Sequence, residues 1–297
     1  KKEFDYRFTG RDSLAHRHLL NLAVSKLTSS SISSFSQVPM DTPFFQFVEA
    51  LQSKCNLKRL AKKVIRWYNE NGMSKKEFDY RFTGRDSRMF LHNFMFLIDV
   101  LEKCIKGKET EAIHCHAYLC LCLRNAVSLF SRFDITVDQI VELKHYCTSF
   151  YRGYNLYFSA NTTVWTLGHV VPVHTKEMKE IYGMGLGLNT MEGREAKHIA
   201  IAKYAANTAH KYRWEQVFRH EYISLVWLRA HGYSSNINSL SNTSNVLSYI
   251  PKRVLNKTPN FCNCGLDKQV SDEVCRFCSH ELREKIKKTI DKGKSIF

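Results

Sequence analysis

Residues 88–104 read RMFLHNFMFLIDVLEKC, and this stretch decides the fold. Its apolar side chains recur on nearly every side of a helical wheel instead of alternating, which predicts a buried helix and not a strand. Residues 111–132 and 136–150 repeat the theme, with Asp134 and Thr136 marking the break between them. Upstream, residues 44–71 predict two short basic helices parted near Cys55–Leu57, with Asp41 or Thr42 as cap and Pro43 in the first position. Downstream, two longer helices are expected at about 190–208 and 213–229; the second carries Trp214, Phe218, Ile223 and Trp227. The expected fold class is therefore mainly α, a helical domain with a small C-terminal zinc-ribbon or knuckle-like module.

Composition narrows the partners. The chain has 297 residues, 44% of them hydrophobic, which is enough to bury a core. Its 44 Lys and Arg outnumber 28 Asp and Glu, and the resulting formal charge of +16 points to nucleic acid, DNA first, as the partner. No apolar run approaches the roughly 18–20 residues that span a bilayer. Residues 1–30 also lack the basic, apolar, small-residue layout of a signal sequence. A soluble, intracellular and nuclear protein with no membrane partner is the expectation.

The segment KKEFDYRFTGRDS occupies residues 1–13 and recurs unchanged at 75–87, followed each time by unrelated sequence. Structural repeats diverge and run in series, so this pair reads as a duplicated segment and not a solenoid. Together with the Ser-rich stretch that follows, it makes residues 1–43 an expected poorly ordered region. The helical domain is expected over 44–233. A polar linker covers 234–250, and 251–297 form a four-cysteine module ending in a lysine-rich helix.

The ten cysteines divide by context. Cys55, Cys104, Cys115, Cys120, Cys122 and Cys147 lie in helical segments and read as free, buried thiols. Cys262, Cys264, Cys275 and Cys278 form CxC, ten residues, then CxxC, with Gly265 after the second cysteine. Two short thiolate pairs joined by a turn suit a tetrahedral Zn²⁺, and a segment this small needs such a staple to fold. His280 could replace one of the four.

Three other patterns carry less. GMGLG at 183–187 has neither nucleotide-loop spacing and reads as a flexible turn. His220-Glu221 lacks the second histidine of a zincin, because position 224 is Ser. His114, Cys115 and His116 are adjacent, so on a helix they point apart and read as core or surface residues.

The block 166–198, TLGHVVPVHTKEMKEIYGMGLGLNTMEGREAKH, sets Glu192 and Glu195 at i and i+3. On one helical face they could share a cation, or simply cap the first turn. Through Thr166, Leu167, His169, Val170, Pro172, Glu192 and Glu195, the block resembles the C-terminal catalytic region of RNase H-fold DDE transposases. Their kin include the recombination-activating recombinase of V(D)J joining and Transib-type elements. The resemblance implies that Glu195 is the third carboxylate of a two-metal triad, that Glu192 supports it, and that the helices of 88–150 are the family's insertion. It implies DNA contacts from the basic residues Arg194, Lys197 and Lys203, with Lys285, Lys287 and Lys288 of the C-terminal helix alongside, and assembly as an oligomer. Mg²⁺ would bind only with a complete triad. The triad's two aspartates have no strand-borne counterparts here, and residue 164, where a zinc histidine would fall, is Val. The expected function is thus a remnant of a DDE-type transposase, inactive alone. The alternative is a non-catalytic, zinc-containing nucleic-acid-binding protein.

Overall fold

The computed structural model describes residues 34–71, 84–104, 108–158, 162–189, 201–209, 211–231, 250–256, 260–266, 268, 275–279, 284 and 286–288. The first copy of the duplicated segment and residues 234–249 of the expected polar linker lie outside them. Among the described residues the chain is helical and forms no β-strand. None of the helices described is long and apolar enough to cross a membrane.

The helices are α1 (Pro43–Ser53), α2 (Lys58–Asn71), α3 (Gly84–Cys104), α4 (Lys108–Phe130), α5 (Val137–Tyr157), α6 (Thr162–Trp165), α7 (Val171–Tyr182), α8 (Arg213–His231), α9 (Lys252–Leu255) and α10 (Arg276–Ser279). Residues 201–207 form a further short helix before α8. Neighbours in space follow the chain: α2 packs on α1, α1 on α3, α3 on α4, α4 on α5, and α5 on α7.

Local chemistry sets the boundaries. The Thr42 side chain accepts the Phe45 N–H at 3.3 Å, with Pro43 opening α1, as the sequence predicts. At α5, Thr136 and Gln139 cap each other: the Gln139 N–H donates to Thr136 Oγ1 at 3.2 Å, and the Thr136 N–H to Gln139 Oε1 at 3.1 Å. The helix runs on to Tyr157, past the expected end at 150, because Gly153 and Tyr154 bury against its neighbours.

Burial then explains the order. α4 carries an apolar run that leaves almost no exposed face, with Ile113, Leu119, Cys120, Leu123 and Ala126 all buried, so it takes the centre. In α3, Phe90, Phe94, Met95, Leu97 and Ile98 are buried as expected from 88–104. α2 is divided instead: Leu60, Ala61, Val64 and Tyr68 are buried, while Lys58, Lys62, Lys63 and Arg66 are exposed.

Between α6 and α7, residues Thr166–Val170 form a π turn, and the helix resumes with Pro172 in its first turn. A proline inside a regular helix loses an N–H and collides with the carbonyl four residues back, and the wider turn before it relieves that conflict. Gly168, within the π turn, lies against α5: a Cβ there would sit 2.6 Å from Cβ and Cγ of Tyr151. Gly168→Ala is expected to cost about 1–3 kcal/mol by overpacking. Thermal unfolding by circular dichroism should show the midpoint falling by about 2–10 °C, and an unchanged midpoint would contradict this packing.

Candidate metal centre

The C-terminal cysteines converge. The sulfur atoms of Cys262, Cys264, Cys275 and Cys278 all lie within 4.8 Å of one another, three of the residues being buried and Cys278 half-buried. Cys262 Sγ is 3.4 Å from Cys278 Sγ, and Cys264 Sγ is 3.4 Å from Cys275 Sγ. Tetrahedral thiolates at ~2.3 Å from an ion have edges of about 3.8 Å, within the observed spread. A disulfide would need sulfurs about 2.05 Å apart.

Two turns build this geometry. The Gly265 N–H donates to the Cys262 carbonyl at 2.8 Å, and the Cys262 N–H to the Leu266 carbonyl at 2.9 Å. Gly265 has φ +99°, a conformation that a side chain would strain, so the CxC turn depends on it. On the other side, Cys275 precedes α10, whose Cys278 N–H points at Cys275 Sγ at 3.4 Å. Four thiols this close share protons. Hydrogen bonds from Cys264, Cys275 and Cys278, in that order, pull the Cys262 thiol far below its ordinary range, and the same sharing, led by Cys262, pushes Cys264 up. A bound divalent cation would take all four as thiolates.

The surroundings are cationic, which the sequence did not reveal. Arg124, in the middle of α4 and fully buried, donates from Nη1 to the Cys264 carbonyl at 2.9 Å and from Nη2 to the Asn263 carbonyl at 3.3 Å. Burial pulls its guanidinium down to about 10, an effect opposed by Cys264, so it stays charged at neutral pH. Arg253 donates from Nε to the Gly265 carbonyl at 3.2 Å and lies over the Phe96 ring, 4.1 Å from its centroid. A divalent ion with four thiolates carries a net charge of −2, and two guanidiniums beside it offset that charge. The lone arginine within LCLCLRNAVSL was the only sequence signal, since an arginine in so apolar a run needs a buried acceptor.

The module is docked on the bundle. Phe277, buried in α10, meets the His114 ring edge-on with centroids 5.5 Å apart, and His114 Nε2 pairs with Glu102 Oε1 of α3 at 3.0 Å. His114 is therefore a buried core residue, as its spacing predicts, and His116 Nδ1 lies 2.6 Å from the Ala112 carbonyl. Ile286, in the lysine-rich segment, is buried too, while Lys287 and Lys288 are exposed.

Of the carboxylates and cations expected on the 190–208 helix, Glu192, Arg194, Glu195 and Lys197 lie outside the described residues, as do Lys285 and His280. Lys203 is exposed. His169 packs edge-on to Tyr151, with centroids 4.5 Å apart, and beside Trp165 at 5.7 Å. The GMGLG segment departs from expectation. It is pinned and not a free turn: the Gly185 N–H donates to the Phe133 carbonyl at 2.7 Å, and the Gly187 N–H to the Arg132 carbonyl at 3.2 Å. Asp86 pairs with Arg59 at 2.8 Å and Asp99 with Lys103 at 2.6 Å, so both serve ion pairs within the bundle. Compared with known proteins, the chain matches no family model, no curated protein and no solved structure.

Proposed function

We propose that this protein is a non-catalytic nucleic-acid-binding protein whose four-cysteine centre holds Zn²⁺ as a structural ion and which acts in the nucleus. The observation that carries the reading is the division of α2. Its inner face buries Leu60, Ala61, Val64 and Tyr68, and its outer face presents Lys58, Lys62 and Arg66 at four-residue spacing. Such a row matches a phosphate backbone better than it serves the fold, because it lies outside the core. The charge of +16 and the exposed Lys203, Lys287 and Lys288 support it. Zinc is favoured over other ions because it accepts an all-thiolate tetrahedron without redox chemistry.

The resemblance at 166–195 supports descent from a DDE transposase, and with it an oligomer on DNA. Present catalysis is not part of the proposal. Two-metal phosphodiester transfer needs several converging carboxylates, and Asp86 and Asp99 are engaged with Arg59 and Lys103. Magnesium-dependent cleavage abolished by Glu195→Gln would restore the catalytic reading.

Fluorescence anisotropy with a labelled DNA duplex, titrated across salt, tests the binding function. Affinity is expected to fall steeply with salt. Exchanging Lys58, Lys62 and Arg66 for Glu should reduce the log–log slope by about 2–3, near 0.9 for each phosphate no longer neutralised. No binding of any nucleic acid at low salt would overturn the proposal.

A further inference from the structure

α8 is at odds with the rest of the fold. Val217 is buried, and His220 stacks on Tyr204 of the 201–207 helix with centroids 4.9 Å apart, which fixes one side of α8. The other side presents large apolar groups to solvent. Trp214, Phe218 and Tyr222 follow one another at four-residue steps, with Phe218 62% and Tyr222 69% exposed, and Trp227 is more than half exposed further round. Exposed rings in a continuous row mark an interaction surface and not chance exposure.

Charge indicates what covers it. Lys211 Nζ lies 5.6 Å from the centroid of the Tyr212 ring, and the Arg213 guanidinium 5.8 Å from that of Trp214. These four residues, with Glu215, line an open groove of about 720 Å³ at the start of the helix. Each pair sets a cation close to an aromatic ring, the combination that single-strand binders use for phosphate and base. Arg219 adds an exposed cation six residues further along α8, and Lys203 another on the neighbouring helix. A second copy of the chain is a poorer occupant. Arg213 and Arg219 are exposed cations beside the ring row, and charged groups are depleted from the centres of such interfaces. A duplex is poorer as well, because its bases are already stacked inside.

We propose that the Trp214–Phe218–Tyr222 face of α8, with Lys211, Arg213 and Arg219, binds single-stranded nucleic acid by stacking bases on its rings. Rings four residues apart on a helix are separated by about 6 Å along its axis, which suits successive bases of a partly extended strand. The strand's phosphates lie along the cations, so binding is salt-dependent and tolerant of sequence. The proposal rests on the nucleic-acid reading above. It differs in locus and ligand, since α2 has an exposed row of cations without a row of exposed rings.

The test compares an oligo-dT strand with a duplex of the same length, using the full chain and two variants. One carries Trp214→Ala, Phe218→Ala and Tyr222→Ala; the other carries the three α2 exchanges. Because the α8 rings are exposed, their removal should leave the circular dichroism spectrum and the melting midpoint unchanged, and that is measured first. The α8 variant is expected to bind oligo-dT about 10–100-fold more weakly, from stacking worth about 1–3 kcal/mol per base, while duplex affinity stays within about twofold. Oligo-dT should also quench the tryptophan fluorescence of the unaltered protein. Unchanged oligo-dT binding by the α8 variant would overturn this inference and leave the duplex-binding function standing. So would sedimentation showing a dimer that the α8 variant alone abolishes, with oligo-dT affinity retained. Failure of both nucleic acids to bind at low salt would overturn the two together.

Discussion

Incubating the protein with a strong zinc chelator is expected to release one metal equivalent, expose four further thiols to a chromogenic disulfide reagent, and lower the melting midpoint sharply. Metal binding to a site of this type is worth about 10–16 kcal/mol, as large as the whole stability of an ordinary domain. The count of four follows from the contrast among cysteines. Burial pushes the Cys55 and Cys120 thiols up to about 12 and Cys147 higher still, so these groups stay protonated and shielded at neutral pH. Cys115 is buried and lies 3.4 Å from the Tyr157 hydroxyl. The sulfurs of Cys262, Cys264, Cys275 and Cys278 become reactive once no ion holds them. Cys264→Ser should reproduce the loss of stability in the absence of chelator. A midpoint unaffected by both treatments would show that the cluster holds no structural ion. Stoichiometry by atomic emission decides which metal is present.

The second large effect is expected at Arg124. Arg124→Met keeps most of the volume but removes a buried cation and leaves the Cys264 and Asn263 carbonyls without their donors. Each buried carbonyl left without its donor costs about 1–3 kcal/mol. Loss of an outer partner of a metal ligand weakens metal affinity by about 10–100-fold. Urea unfolding and competition against a chromophoric chelator measure the two effects separately. Arg124→Lys retains the charge but cannot donate to both carbonyls from one planar fork, and should fall between the two. Wild-type stability together with wild-type metal affinity in Arg124→Met would remove the proposed link between bundle and centre.

Legibility differed by the range of the interaction. Helices read well because their signals are local: the apolar run at 88–104, the Thr42-Pro43 cap and the Thr136–Gln139 box each act within a few residues. The four cysteines were legible for the same reason, since ligand spacing is short. What was not legible acts across the chain. The seat of the module on α3 and α4 depends on Arg124, Arg253 and the His114–Phe277 contact, none of which leaves a periodic trace. The GMGLG segment read as loose because glycine permits bending, whereas carbonyls of residues 132 and 133 hold it in place. Trp214, Phe218 and Tyr222 look like core residues in sequence, and only their exposure distinguishes an outward face from a buried one.

The Arg124–Cys264 bond joins positions 140 apart, and this has a consequence during synthesis. At about 5–20 residues per second, α4 emerges from the ribosome roughly 7–28 s before the loop that accepts its guanidinium. Throughout that interval the central helix carries a cation it cannot bury, so the core cannot close around it. Closure of the core around Arg124 is therefore expected to be a late step that follows synthesis of the cysteine segment.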